Sequence, residues 1–151
     1  MRNKLSKFLA TFFYIGDLPF APGSIASIAG TLIYIIVYQN LVLYLFCLTA
    51  ITAIGFLVSG RAEKIVGQKD PTCIVIDEVA GMLIAFFMLP ISFSVLITTF
   101  FLFRAFDMFK IYPAYKLEKY PGSVGVMMDD LIAGVYANLV MHSAIYLINK
   151  F

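Results

Sequence analysis

Three long stretches of this 151-residue chain contain no Asp, Glu, Lys or Arg: 18–60, 79–103 and 131–149. One helical membrane crossing needs about 20 apolar residues, with a range of roughly 17–25. The first stretch is long enough to cross, turn near 38–40 and cross back, and the third fits one crossing. Backbone groups in lipid must be satisfied within the protein, so the pattern predicts an all-α polytopic membrane bundle.

The middle stretch allows two interpretations. It could form one tilted helix kinked at Pro90, or a hairpin of two short helices, 74–89 and 91–106. The positions of basic residues help to choose between these two interpretations, because Lys and Arg favour the cytoplasmic side of a membrane. Basic residues cluster before this stretch at 61–69 and after it at 104–119. Only the hairpin places both clusters and the basic N-terminus on one side, so we predict five crossings with the C-terminus outside.

The N-terminal segment combines three basic residues with an apolar run at 8–15. This combination resembles a signal peptide. However, Asp17, Pro19 and Pro22 interrupt the pattern, and no small-residue cleavage site follows. We therefore expect a retained amphipathic helix lying at the membrane surface.

Composition supports the bilayer as the environment. The chain is 62% hydrophobic and 13% charged, with a mean hydropathy of +0.93, whereas soluble domains are roughly 25% charged. A net charge of +2 without a long basic run argues against a nucleic-acid partner. Cys47 and Cys73 have no spacing typical of a bridge or zinc site, and we expect reduced thiols. Without a repeat or linker, residues 1–151 are predicted to form one domain.

Acidic residues stand in unexpected places next to hydrocarbon. Asp77-Glu78 and Asp129-Asp130 each lie in an otherwise apolar helix start, and Asp107 ends a phenylalanine-rich run. An acid at mid-bilayer costs on the order of 2.5–3.5 kcal/mol, and less near the interface. The dipole at a helix N-terminus favours a negative charge and accounts for one acid per helix. It does not readily explain two consecutive acids on each of two helices. Oxygen ligands suit Mg²⁺, with Mn²⁺ as an alternative, so the pairs predict a divalent cation site.

Glycines accompany both acidic pairs. Gly81 follows Asp77 by four residues, and Gly134 follows Asp130 by four. Each glycine therefore shares a helix face with its acid, and small residues let helices approach closely. Ordinary packing would also explain these glycines. Glu63 and Glu118 stand among lysines and are expected to be solvated.

The remaining candidates would bind a phosphate. Arg104 could bind it through two parallel hydrogen bonds, and Lys110 through its charge, although both could instead be membrane anchors. The proline-bounded turn at 19–24 leads into a helix, and a helix N-terminus can bind phosphate; a plain helix entry capped by a serine is the alternative. Together with Asp17, which precedes the turn, these residues form the predicted substrate-binding set: Asp17, Pro22, Gly23, Ser24, Arg104 and Lys110.

Other catalytic chemistries lack their residues. The only histidine, His142, stands late in the last predicted crossing, near the opposite membrane face from the acids, and is expected to form a hydrogen bond with a neighbouring helix. Cysteine-phosphatase, P-loop and dinucleotide-binding patterns are absent. Metal-assisted hydrolysis remains, in which carboxylates hold a cation that orients a phosphoryl group and acidifies water.

Four ordered blocks carry a family resemblance: 16–27, 70–81, 103–110 and 125–137. In these blocks the chain resembles the phosphatidylglycerophosphatase A family, over nearly its whole length. The chain departs from the family pattern at Ala26, at Ile111 and at Gly122-Ser123, which concern turn geometry.

The resemblance implies a Mg²⁺-dependent membrane enzyme of phospholipid synthesis that hydrolyses phosphatidylglycerophosphate to phosphatidylglycerol. It implies a multi-pass protein of the bacterial inner membrane with its site facing the cytoplasm. The family's acidic motif positions correspond to Asp77, Glu78, Asp107, Asp129 and Asp130, and its turn to Pro22 and Gly23.

Our leading hypothesis makes Asp77, Glu78, Asp129 and Asp130 metal ligands or water activators, with Asp107 alongside. The first alternative is a transporter or cation channel with an acidic ion site, for which polar residues at several depths would be expected. A CDP-alcohol phosphotransferase also uses paired acids on helices, but its extended motif is absent. A small structural protein would leave the clustered acids without a purpose.

Overall fold

The computed structural model describes residues 2–69 and 71–150, and throughout these it is helical with loops and no strand. Its α-helices are α1 Arg2–Ala10, α2 Pro22–Val37, α3 Leu41–Val66, α4 Ile76–Ala85, α5 Phe93–Phe109, α6 Ala114–Leu117 and α7 Ser123–Lys150. A short 3₁₀ helix, Ile15–Asp17, connects α1 to α2. The predicted all-α class is confirmed.

Local sequence sets several helix ends. The α3 helix begins after Asn40, whose side chain accepts a hydrogen bond from the Leu43 N–H at 3.1 Å. It ends at Gly67, which adopts the left-handed backbone (φ 75°) that glycine tolerates without strain. The α2 helix begins at Pro22, because proline suits the first helical position. The turn expected near 38–40 separates α2 from α3.

The middle apolar stretch forms two helices, as the hairpin interpretation predicted. The α4 helix has 10 residues and α5 has 17, and the segment 86–92 joins them. The start of α4 and the end of α5 line one cavity, so the two helices run in opposite directions. The predicted bounds were less accurate, since α4 ends four residues before 89 and α5 continues to Phe109.

Two tyrosines explain how α4 can end inside the apolar core. The Tyr34 hydroxyl of α2 donates to the Leu89 carbonyl at 2.7 Å, and the Tyr44 hydroxyl of α3 donates to the Leu83 carbonyl. The last carbonyls of a helix have no partner within it, and a buried carbonyl without a partner is costly. Side chains from neighbouring helices therefore replace the missing backbone bonds.

Residues of α7 complete this capping from the other side. The Asn138 amide nitrogen donates to the carbonyls of Ala85 at 3.1 Å and Phe87 at 2.8 Å. The His142 Nε2 atom lies 3.1 Å from the same Phe87 carbonyl. His142 thus contacts a neighbouring chain segment, as expected for a helix–helix partner.

Glycines bring α4 and α7 into close contact. A Cβ atom on Gly81 would lie 2.5 Å from the Asp130 carbonyl oxygen, and one on Gly134 would lie 2.3 Å from the Gly81 carbonyl oxygen. Any larger residue would force these backbones apart. The close approach that the glycine spacing predicted therefore exists, and it places the two acidic pairs side by side.

The helix ends that carry charge gather at one end of the bundle. The starts of α2, α4 and α7 and the end of α5 line the same cavity. The end of α3 joins them, because the Gly60 N–H donates to the Ser123 hydroxyl at 2.8 Å. Basic residues of 61–69 and 104–119 lie on or next to these ends.

Two helices, α3 and α7, are long and apolar enough to cross a membrane, judged by length and composition. The α2 helix is apolar but has only 16 residues. Five crossings therefore stay a prediction. The expected N-terminal helix exists as α1, which packs on α3 with Ser6 and Ala10 buried; its position at a membrane surface stays a prediction.

Candidate active site

A polar cavity of about 280 Å³ lies at the charged end of the bundle. The helices α2, α4, α5 and α7 each contribute one terminus to its wall. Its lining contains every predicted site residue except Asp17: Pro22, Gly23, Ser24, Asp77, Glu78, Arg104, Asp107, Lys110, Asp129 and Asp130. Residues from four separate sequence blocks therefore share one small space.

Three carboxylates form a compact cluster, to which Asp77, Glu78 and Asp130 each contribute an oxygen. These oxygens lie within 4.8 Å of one another. Asp77 and Asp130 are each only 4% exposed. Within the described ranges, Glu78 Oε2 and Asp130 Oδ1 are buried and have no hydrogen-bond partner. Buried like charges disfavour one another's ionised form, so the cluster needs a counter-charge.

The donors of this cluster fit a divalent cation. All three offer hard carboxylate oxygens, which Mg²⁺ and Mn²⁺ prefer. Glu78 and Asp130 each also have one buried oxygen without another partner among the residues described. The cluster can therefore hold a metal, and its geometry does not choose between these ions.

Asp129 contacts a lysine, whereas its neighbour Asp130 belongs to the carboxylate cluster. The Asp129 Oδ2 atom accepts a hydrogen bond from the Lys110 Nζ at 3.0 Å, and Lys110 also pairs with Glu118 at 3.0 Å. Burial lowers the pKa of the Lys110 ammonium, but the two ion pairs raise that pKa more, so it lies above its usual value. Lys110 therefore stays protonated at the cavity wall.

The second cation of the cavity is Arg104. Its Nη1 atom lies 2.7 Å from an Asp107 oxygen, one turn further along α5. A Cβ atom on Gly23 would lie 2.2 Å from Glu78 Oε1 and 3.4 Å from Arg104 Nη1. A larger residue at position 23 would therefore displace the Glu78 carboxylate from its present position, whereas the distance to Arg104 is an ordinary contact.

The start of α2 differs from its prediction. The helix begins at Pro22, and the cap position is Ala21, which makes no side-chain capping bond. Ser24 is therefore a first-turn residue at the cavity and does not act as the serine cap considered above. The helix start instead offers backbone N–H groups toward the cavity.

Three acidic residues outside the cluster occupy places that the sequence did not indicate. Asp17 pairs with Lys7 at 3.2 Å and does not line the cavity; a role for it in substrate binding stays a prediction. Glu118, expected to be solvated, pairs with Lys110. Glu63 accepts a hydrogen bond from the Gly122 N–H at 3.0 Å. No local sequence signal links Glu118 to Lys110, because they lie on either side of α6 and are eight residues apart, which is not a helix-neighbour spacing.

Four lining residues were not predicted as site residues: Ala21, Pro71, Thr72 and Ile74. They belong to the motif blocks 16–27 and 70–81, which were the available signal. Asp70, the first residue of the second block, lies outside the described residues.

The match to known proteins now decides the family. The family model of phosphatidylglycerophosphatase A matches residues 8–145, which include the whole cavity lining. The chain belongs to this family. Membership makes it a phosphatase, and it confirms the resemblance carried by the four sequence blocks.

Several bacterial relatives align with most of the chain. A phosphatidylglycerophosphatase A of Haemophilus influenzae is 33% identical, over 91% of this chain and 87% of its own length. The Escherichia coli phosphatidylglycerophosphatase A is 30% identical, over 89% and 80% respectively. A Bacteroides thetaiotaomicron protein, provisionally named a phosphatidylinositol-3-phosphatase, is 33% identical over 93% of both chains. No solved structure matches the chain.

Proposed function

We propose that this family member hydrolyses phosphatidylglycerophosphate to phosphatidylglycerol and phosphate with the help of a divalent cation. The observation that carries the proposal is the cavity, in which three clustered carboxylates face two cationic side chains. Names of the Haemophilus and Escherichia relatives supply the substrate. The reaction joins a water oxygen to phosphorus and breaks the bond from phosphorus to the glycerol oxygen, which leaves as an alcohol after taking a proton.

Asp77, Glu78 and Asp130 would hold the cation, with Mg²⁺ as the preferred ion and Mn²⁺ as an alternative. A bound cation of this kind neutralises phosphoryl oxygens and lowers the pKa of a coordinated water. Asp129, which the sequence placed among the ligands, would instead hold Lys110 in position. Asp107 would do the same for Arg104.

Three groups would bind the phosphate. Lys110 and Arg104 bring positive charge to the cavity wall beside Asp129 and Asp107, and Arg can bind two oxygens at once. The first turn of α2, with Ser24, adds N–H and hydroxyl donors. Donors fixed in place before the reaction stabilise the charge that develops on the phosphoryl oxygens.

The cavity suits a headgroup and not a whole lipid. Its volume of about 280 Å³ lies at or below the low end of ligand pockets, which are roughly 300–1,000 Å³. The acyl chains would therefore remain among the helices and the surrounding membrane. This arrangement agrees with acidic residues gathered at one end of the bundle, which does not favour a transporter or channel.

We propose a multi-pass protein of the bacterial inner membrane, with the cavity facing the cytoplasm. The basic segments 61–69 and 104–119 lie at the cavity end, and the positive-inside rule assigns that end to the cytoplasm. The α2, α3 and α7 helices and the α4–α5 hairpin would make the five crossings. At 1.5 Å per residue, α4 is about 15 Å long and would reach only halfway across the hydrocarbon core, with its capped end inside the bundle. The segment 86–92 would complete this crossing.

A second candidate substrate is another glycerophospholipid that carries a phosphate monoester. The Bacteroides relative favours it, since that protein's name refers to phosphatidylinositol 3-phosphate. The two substrates share the phosphate monoester and the diacylglycerol unit and differ in the alcohol between them.

Phosphate release by the purified protein tests the proposal. In mixed micelles with Mg²⁺, we expect release from phosphatidylglycerophosphate, loss of release with excess chelator, and recovery when Mg²⁺ is restored. Phosphatidylinositol 3-phosphate is assayed in parallel. Release that is at least about tenfold faster from the inositol lipid, a difference of about 1.4 kcal/mol, would favour the second candidate. No release from either lipid would refute both.

A further inference from the structure

An apolar groove of about 320 Å³ runs along the outside of the bundle between α2 and α5. Apart from Thr31, its lining side chains are hydrocarbon, and they include Ile28, Leu32, Phe93, Ile97, Phe100 and Phe101. Several of these side chains are strongly exposed. The groove is therefore open along its length to whatever surrounds the bundle.

The groove begins one helical turn from the polar cavity. On α2, Ser24 lines the cavity and Ile28, one turn further, lines the groove. On α5, Arg104 lines the cavity and Phe100, one turn earlier, lines the groove. Residues four apart share a helix face, so the lining of the same two helices changes from charged to hydrocarbon within one turn.

We propose that this groove binds an acyl chain of the lipid whose phosphate occupies the cavity. The inference rests on the proposed function and extends it to the hydrophobic part of the substrate. A phosphate at one end and a hydrocarbon path beginning one helical turn away match a single amphiphile. The nine residues from Phe93 to Phe101 extend about 12 Å along α5, which gives the chain a long apolar contact.

Bulk membrane lipid lacks the terminal phosphate contact that would hold its chain at this groove. A lipid whose phosphate is already held by Lys110 and Arg104 presents its chain at a high effective concentration. The groove would therefore select long-chain lipid phosphates over water-soluble phosphate esters. The contribution should appear in KM, because the chain contact is the same in the ground state and the transition state.

Filling the groove with a larger side chain tests the proposal. Leu32→Trp should raise KM for dioleoyl phosphatidylglycerophosphate about tenfold, because the larger side chain would occupy space that the acyl chain needs, with kcat changed less than about twofold. KM for the dihexanoyl form, whose short chains barely enter the groove, should not change. The matched control is Leu57→Trp on α3, because Leu57 is 70% exposed and lines neither space.

The outcomes separate the two proposals. A wild-type protein that releases no phosphate from either lipid would refute the proposed function. A wild-type protein that is active, with Leu32→Trp and Leu57→Trp giving the same KM for the dioleoyl lipid, would refute the groove alone.

A second measurement needs no substitution. The wild-type protein is labelled with a lipid phosphate whose acyl chain carries a photoreactive diazirine, and the labelled residues are mapped by mass spectrometry. We expect labels on the α2 and α5 residues of the groove, and fewer there with the same lipid lacking its terminal phosphate. Labels distributed equally over all apolar helices, with or without the phosphate, would contradict the proposal.

Discussion

Replacing Asp130 by Asn should lower the rate of phosphate release at least about 1,000-fold, a loss of about 4 kcal/mol of transition-state stabilisation. Asp130 is almost fully buried, and it belongs to the cluster that also contains Asp77 and Glu78. An amide has the shape of the carboxylate but no charge with which to hold a cation. Asp77→Asn should have a similar effect. Phosphate release by the purified variants measures both.

Stability distinguishes loss of the site from loss of the fold. Without a cation, the three clustered carboxylates repel one another in a buried space. Asp130→Asn should therefore unfold at a higher temperature than the wild type when both contain chelator, even though it is inactive. Groups arranged for function often reduce stability in this way.

Glu63→Gln is the control for these variants. Glu63 lies outside the cavity lining and accepts a hydrogen bond from the Gly122 N–H, which an amide oxygen can still accept. The activity of Glu63→Gln should stay within about twofold of wild type. Substitutions away from the core and from buried polar networks usually change the free energy of unfolding by less than about 0.5 kcal/mol. Full activity in Asp130→Asn, or an equal loss in Glu63→Gln, would remove the assigned roles.

Replacing Lys110 by Gln should lower kcat/KM for phosphatidylglycerophosphate about 100-fold, the lower end of the effect of removing one fixed donor from a charged transition state. Lys110 lies at the cavity wall, held between Asp129 and Glu118. The glutamine side chain is shorter and uncharged, and it cannot neutralise a phosphoryl oxygen. Steady-state kinetics with the purified variant measure the effect.

Lys116→Gln provides the matched comparison. Lys116 lies on α6, six residues after Lys110, is exposed, and has its ammonium 4.8 Å from the centre of the Tyr112 ring. We expect its kcat/KM to remain close to wild type. If Lys110→Gln and Lys116→Gln behaved alike, Lys110 would be one of several basic residues near the membrane without a specific role at the phosphate.

The sequence was informative where chemistry and packing are local. Two adjacent acids next to hydrocarbon are costly wherever they lie, so Asp77-Glu78 and Asp129-Asp130 could be recognised as candidate site residues without coordinates. Gly81 and Gly134 share a helix face with Asp77 and Asp130, which predicted that the two helices approach closely there. The structure confirms this approach and brings both pairs into one cavity.

The sequence was less informative where distant residues decide. The α4 helix ends at Ala85 because side chains of α2, α3 and α7, including Tyr34 and Asn138, satisfy the carbonyls around its end. Hydropathy does not register such capping, so the predicted end at 89 was too late. Likewise, Asp129 bonds Lys110, which is 19 residues away in the chain. The sequence grouped Asp129 with Asp130 as a metal ligand only because the two residues are adjacent.

Cation binding measured by thermal unfolding tests the central claim most directly, since it does not depend on turnover. Wild-type protein and Asp130→Asn are unfolded in detergent while Mg²⁺ or Mn²⁺ is raised from zero. A cation bound by α4 and α7 together should stabilise the wild type by about 2.7 kcal/mol at 100 times its Kd, and Asp130→Asn should show little of this gain. Absence of any cation-dependent stabilisation in the wild type, or an equal gain in both proteins, would contradict a shared metal site.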